Sequence, residues 1–196
     1  MKAFLGIFAI LIAVYSYIPY FRNLLKGRTK PHAFSWFIWS LLTAIAFFAQ
    51  ISDKGGPGAW VTGFTALACF SIFLLSLKRG EKNIVLFDWL CLIGALVALG
   101  LWAVSSGPLL AVILITIIDA FGFLPTFRKS YTKPNEETAL TYSLSAIKFA
   151  IAIAALDNIT VVTTLYPASL VLMNGLFVMM VLMRRKQLLI NLERPI

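Results

Sequence analysis

Charge is what this sequence has least of. Only 13% of the chain is Asp, Glu, Lys or Arg, about half the share of an ordinary soluble domain, while 60% is hydrophobic. Mean hydropathy is +0.89. A water-soluble fold of 196 residues could not hide so much apolar surface, so the composition implies an integral membrane protein. Acid is scarcer than base, with eight Asp and Glu against 17 Lys and Arg. There is one histidine, His32, in a basic loop, where it reads as solvated and makes no metal site. The two cysteines, Cys69 and Cys91, lie in apolar runs and read as small packing residues rather than a disulfide or metal ligands. Paired carboxylates, a metal-ligand cluster and a Ser/His or Cys/His arrangement are all missing, so neither an enzyme nor a cofactor is indicated.

Uninterrupted apolar sequence is what the chain has in plenty. A bilayer crossing needs about 20 residues. Seven runs approach or exceed that: 3–21, 33–52, 59–77, 83–104, 108–127, 138–156 and 159–183. They are too long for barrel strands of roughly ten alternating residues. The expected fold class is all-α integral membrane, with seven transmembrane helices and loops too short for a soluble domain. Lys2 precedes the first run, but no small-x-small site follows it, so this run reads as a retained helix rather than a signal peptide.

The net charge of +9 follows topology rather than a nucleic-acid face. With the N-terminus outside, the inner segments hold Arg22, Lys26, Arg28 and Lys30; Lys78, Arg79 and Lys82; Arg128, Lys129 and Lys133; and Arg184, Arg185, Lys186 and Arg194. The outer segments hold only Lys2 and Lys54, and Lys148 lies within a run. Basic residues are retained on the cytoplasmic side during insertion. The expectation is an N-terminus outside and a C-terminus inside, with the lipid bilayer and no nucleic acid as partner. Short loops and no organelle address suggest a bacterial inner membrane.

The chain repeats itself. "YIPYFRNLLKGRTKP" at 17–31 is echoed by "FLPTFRKSYTKP" at 123–134. Pro19 then matches Pro125, Phe21 matches Phe127 and Arg22 matches Arg128. With three extra residues in the first loop, Thr29, Lys30 and Pro31 match Thr132, Lys133 and Pro134, and Trp39 and Ser40 match Tyr142 and Ser143. Lys78 and Arg79, set against Arg184 and Arg185, close the unit. Two triplets of helices, 1–80 and 107–196, can run parallel only if the fourth helix, within 81–106, inverts the chain between them.

This 3+1+3 order, with an outside N-terminus and a proline motif in the first and fifth helices, resembles the SWEET and PQ-loop transporter superfamily over essentially the whole chain. "LPTFRKSYTKP" is similar to the Pro-Thr-Phe segment of SWEETs. Neither copy has the Gln of Pro-Gln; Tyr20 and Thr126 stand there, a departure from the Pro-Gln branch. The resemblance implies alternating access around a midplane site, with Pro19 and Pro125 as hinges for the inner halves of their helices. It also implies a substrate-bonding role for Asn174, similar in position to an asparagine in the third helix of a SWEET triplet.

Charge at mid-depth of a membrane helix is costly and informative. Asp119, Lys148 and Asn174 fall near the middle of the fifth, sixth and seventh runs, opposite Ala13, Ile45 and about Ala68 in the first triplet. Asp119 and Lys148 are expected to form an ion pair, either as structural glue or as a grip on a polar or zwitterionic solute. Trp39 and Tyr142 are candidates for stacking or packing. Ser143 joins the candidate site, or with Ser40 lets helices approach. Trp36, Trp60 and Trp102 read as interfacial belts, Asp88 as a cap or interfacial pair, 53–58 as a turn and the basic tail as lying on the inner leaflet. The leading function is transport of a small polar solute such as a sugar, amino acid, vitamin or organic acid; proton coupling through Asp119 and homo-oligomerisation are left open. The alternative is a receptor or assembly factor on the same scaffold.

Overall fold

The computed structural model describes residues 2–52, 56–104, 108–154 and 160–193. Their regular structure is wholly helical: α1 (Lys2–Leu25), α2 (Ala33–Ser52), α3 (Gly56–Arg79), α4 (Leu86–Ala103), α5 (Pro108–Thr132), a 3-10 turn (Pro134–Glu136), α6 (Ala139–Ala154) and α7 (Val161–Glu193). Two windows, Leu86–Ala103 and Thr164–Ile190, are long and apolar enough to cross a membrane, and only 22% of each is buried. Large apolar side chains point outward along other helices too, such as Phe4, Leu11 and Ile18 on α1 and Leu67 and Phe70 on α3.

The helices overrun the apolar runs. α1 and α5 pass through Pro19 and Pro125 and continue to Leu25 and Thr132, so neither proline ends its helix. α7 contains Pro167 and runs on through the Arg, Lys, Gln and Leu of the tail to Glu193. Hydropathy marks where apolar sequence stops, whereas these residues remain good helix formers beyond that point. The tail is therefore a continuation of α7 and not a separate surface segment. Arg184 and Arg185 turn back from it to the carbonyls of Tyr131 and Pro134.

Packing follows the repeat. α3 lies against both α1 and α2, and α7 lies against both α5 and α6. Between the triplets, α1 meets α6 and α2 meets α5, which are again equivalent contacts. α4 stands apart, packed mainly on α5 and touching α2.

The basic loops gather at one end of the bundle and tie the triplets together. α1 closes on Gly27, whose φ of 70° is the left-handed cap that glycine adopts without strain, and its N–H donates to Leu24 O at 3.0 Å. Gly80 is a close approach: a Cβ there would collide with the carbonyls of Ser76 and Pro31. The next N–H, of Glu81, donates to Pro31 O at 3.0 Å. Lys133 Nζ reaches the two Glu81 oxygens at 2.9 and 2.8 Å, and Lys30 pairs with Glu136. Arg79 donates to Leu25 O near the end of α1, and Arg184 does the equivalent for Tyr131 O near the end of α5. The sequence match had set Arg79 against Arg185, one residue away.

Two expectations change here. His32 is fully buried, with Nε2 3.2 Å from Asp88 Oδ2 and Phe34 packed edge-on against its ring. The loop thus folds under the start of α4, beside the Asp88 carboxylate. Asp88 caps and pairs as expected: it accepts from Val85 N at 2.9 Å and twice from Arg128. Trp36 is no belt residue; it is 3% exposed and belongs to the central aromatic core with Tyr17, Tyr20 and Trp39. Gly56–Trp60 open α3, while Asp53, Lys54, Arg194 and the side chain of Trp60 lie outside the described residues.

Candidate functional site

Six helices meet around a cavity of about 70 Å³ at the centre of the bundle. Each presents one face, at the three- and four-residue spacing of an α-helix. α2 offers Trp36, Trp39 and Thr43, α3 offers Thr65 and Cys69, and α5 offers Asp119 and Phe123. α6 offers Thr141, Ser145 and Lys148, and α7 offers Tyr166, Leu170 and Asn174, with Tyr17 from α1.

Asp119, Lys148, Asn174, Trp39 and Tyr142 therefore share one cavity, as the sequence suggested. Ser143 does not. It falls on the opposite side of α6 from Thr141 and Ser145, and its hydroxyl donates back to Ala139 O at 3.1 Å. Ser40 likewise bonds its own helix, at Phe37 O, 2.8 Å away.

The expected ion pair is not closed. Asp119 is 2% exposed and its Oδ2 has no hydrogen-bond partner. Lys148 is 4% exposed, and its Nζ sits 4.6 Å from the centroid of the Phe149 ring. Among the described residues no salt bridge joins the two. α5 and α6 both pack on α7, so consecutive helices are held apart and Asp119 and Lys148 look in from different walls. Asn174 stands on that intervening helix. Its Nδ2 donates to Leu170 O at 2.8 Å, which uses one of its hydrogens. An amide retains a second donor and an acceptor for a ligand.

The aromatic residues form a packed floor rather than a parallel stacking clamp. Trp39 and Tyr142 are 6.4 Å apart at 66°, and Trp39 also meets Trp36 at 5.1 Å and Phe123 at 4.8 Å, all edge-on. Edge-to-face contact is the arrangement the ring quadrupoles favour. The indole nitrogens of Trp36 and Trp39 are buried without hydrogen-bond partners. Gly122 makes room for Trp39, since a Cβ there would stand 3.0 Å from Nε1. Next to this floor, Tyr20 packs on Trp36 at 4.8 Å and Tyr142 on Phe177 at 4.2 Å.

Hydroxyl bonds join the triplets beside the prolines. Thr141 Oγ1 donates to Ser16 O at 2.8 Å, one turn before Pro19. Thr126 Oγ1, next to Pro125, donates to Ser35 Oγ at 2.7 Å.

Sequence reasoning missed Tyr17, Trp36, Thr65, Cys69, Thr141 and Tyr166. The signal was present as the spacing of Thr141, Ser145 and Lys148, a polar stripe at i, i+4 and i+7 in an otherwise apolar helix. No family model, curated protein or solved structure matches the chain.

Proposed function

We propose that this chain is a seven-span membrane transporter for a small polar solute, built as two parallel triplets joined by α4. The N-terminus lies outside and the basic end faces the cytoplasm. The solute occupies the central cavity, and the triplets rock about it so that the cavity opens to either side in turn. Pro19 and Pro125 act as hinges, since each removes a helical hydrogen bond and loosens its helix at that depth. This is the working mode of the SWEET and PQ-loop transporters that the repeated proline segment resembles.

The observation that carries the reading is a set of buried polar groups gathered at one largely apolar cavity, inside a bundle whose outer surface is apolar. Asp119, Lys148, Asn174 and the unpartnered indole nitrogens converge there. Burying polar groups without partners is unfavourable unless a ligand or water completes them. The cavity of about 70 Å³ is smaller than the roughly 300–1,000 Å³ of a site around a drug-sized ligand. A large solute therefore requires the helices to part. On this reading the ion pairs and aromatic floor toward the basic end are what closes the cavity on that side.

The test is solute counterflow in proteoliposomes, with labelled sugars, amino acids and organic acids against unlabelled excess. The reading predicts exchange for at least one class, lost in Asn174→Ala and Trp39→Ala. Absence of exchange for every class favours a receptor or assembly role.

A further inference from the structure

Among the described residues, three buried acids outside the cavity each hold a basic partner. Asp88 holds Arg128, Glu137 holds Lys129 and Glu81 holds Lys133. All of these lie at the basic end. In the cavity the pattern reverses: Asp119 has an oxygen with no partner, and the ammonium of Lys148 rests on an aromatic ring. An isolated buried charge is strongly unfavourable. Two groups of opposite type, unmatched and facing one small cavity from different walls, call for a ligand that carries both charges.

We propose that the cavity binds a zwitterion, an α-amino acid with a short side chain. Its ammonium group meets Asp119, its carboxylate takes Lys148 off the Phe149 ring, and Asn174 bonds it from α7 between them. The proposal rests on the reading of the cavity as a solute site. The charge pattern excludes the other classes: a sugar leaves both groups unmatched, a monoanion leaves Asp119 unmatched and a simple amine leaves Lys148 unmatched. Size sets the length of the side chain. A cavity of about 70 Å³ is well below the roughly 300–1,000 Å³ of a site for a drug-sized ligand, so it favours the smallest amino acids. Glycine, alanine and serine are of that size.

The experiment measures binding to the purified full-length protein in detergent by ligand-dependent thermal stabilisation. The probes are glycine, L-alanine, L-serine, L-alaninamide, L-lactate and D-glucose. The zwitterions are expected to stabilise the wild type, and the single-charge analogues to bind about thirtyfold more weakly or worse, because each leaves one buried group unpaired. The variants should split by charge. Asp119→Asn loses the preference for L-alanine over L-lactate, and Lys148→Met loses the preference for L-alanine over L-alaninamide. A merely structural role would weaken all probes alike, and the wild-type analogue series holds even if a variant fails to fold. Glucose binding that depends on Asn174 and ignores both charge variants overturns the zwitterion and leaves the solute reading standing. Silence from the three zwitterions at millimolar concentration overturns the zwitterion, and the counterflow panel then decides the solute reading by itself.

Discussion

Asp88, with no exposed surface of its own, receives two bonds from Arg128: Nε to Oδ1 and Nη2 to Oδ2, each at 2.7 Å. This fork ties the start of α4 to the end of α5. Removing one partner of a buried pair strands the other, so Arg128→Ala should cost about 3–5 kcal/mol. Lys30 also carries an ion pair, with Glu136, but its side chain is 42% exposed. Solvent screens that pair, and Lys30→Ala should cost far less than Arg128→Ala. Thermal unfolding of both variants in one detergent checks the contrast; equal losses would contradict it.

The same carboxylate stands beside His32 and gives the fold a pH dependence. Burial pushes the His32 imidazole below its ordinary value; Asp88 pulls the other way and Arg128 adds to the depression. The folded protein therefore binds this proton less readily than the unfolded chain. The sign follows: the contribution of neutral His32 is complete above about pH 6.5, the unfolded value, and shrinks as pH falls below it. Melting temperature measured between pH 8 and pH 5 should decline at the acid end, and less steeply in His32→Leu. Parallel curves for the two proteins would show that another group titrates.

Gly80 marks where the turn after α3 passes beneath the loop before α2. A methyl group there meets two carbonyls of fixed backbone rather than the end of a flexible side chain. Gly80→Ala should destabilise by about 1–3 kcal/mol, the usual range for forced overpacking. Gly100, with open space around its Cβ position, is the control, and Gly100→Ala should stabilise slightly or leave stability unchanged.

Helix count and the paired proline motif were legible because apolar length and repeated residues are local properties. α2 spans the same residues, Ala33–Ser52, in both readings. Convergence of Asp119, Lys148 and Asn174 was legible too, since a polar group at mid-depth must face inward. What the chain could not disclose was lateral order. Asp119 and Lys148 look like neighbours on consecutive helices, and only the placement of α7 between α5 and α6 separates them. His32 was misread for the same reason. A loop histidine is solvated unless a distant residue covers it, and here Asp88 stands over the ring while the neighbouring Phe34 packs on its edge.

The hinge role proposed for Pro125 has a kinetic signature. Pro125 is fully buried, and next to it Thr126 holds Ser35 of the other triplet. Pro125→Ala restores a backbone donor and a continuous helical ladder. It should insert and fold normally while slowing counterflow several-fold. Wild-type exchange in this variant would remove the hinge.

Cys69 offers the most direct test of the central claim, that the cavity opens to both faces in turn. It is buried among the cavity residues, with its Sγ 3.7 Å from the Tyr17 hydroxyl. In a Cys91→Ser background it is the remaining thiol of the chain. A small membrane-impermeant methanethiosulfonate, applied separately to right-side-out and inside-out vesicles, reports access from each side. The account predicts modification of Cys69 from both sides, slowed from both by a bound solute. Modification from one side alone, at any temperature that leaves the protein folded, would contradict alternating access.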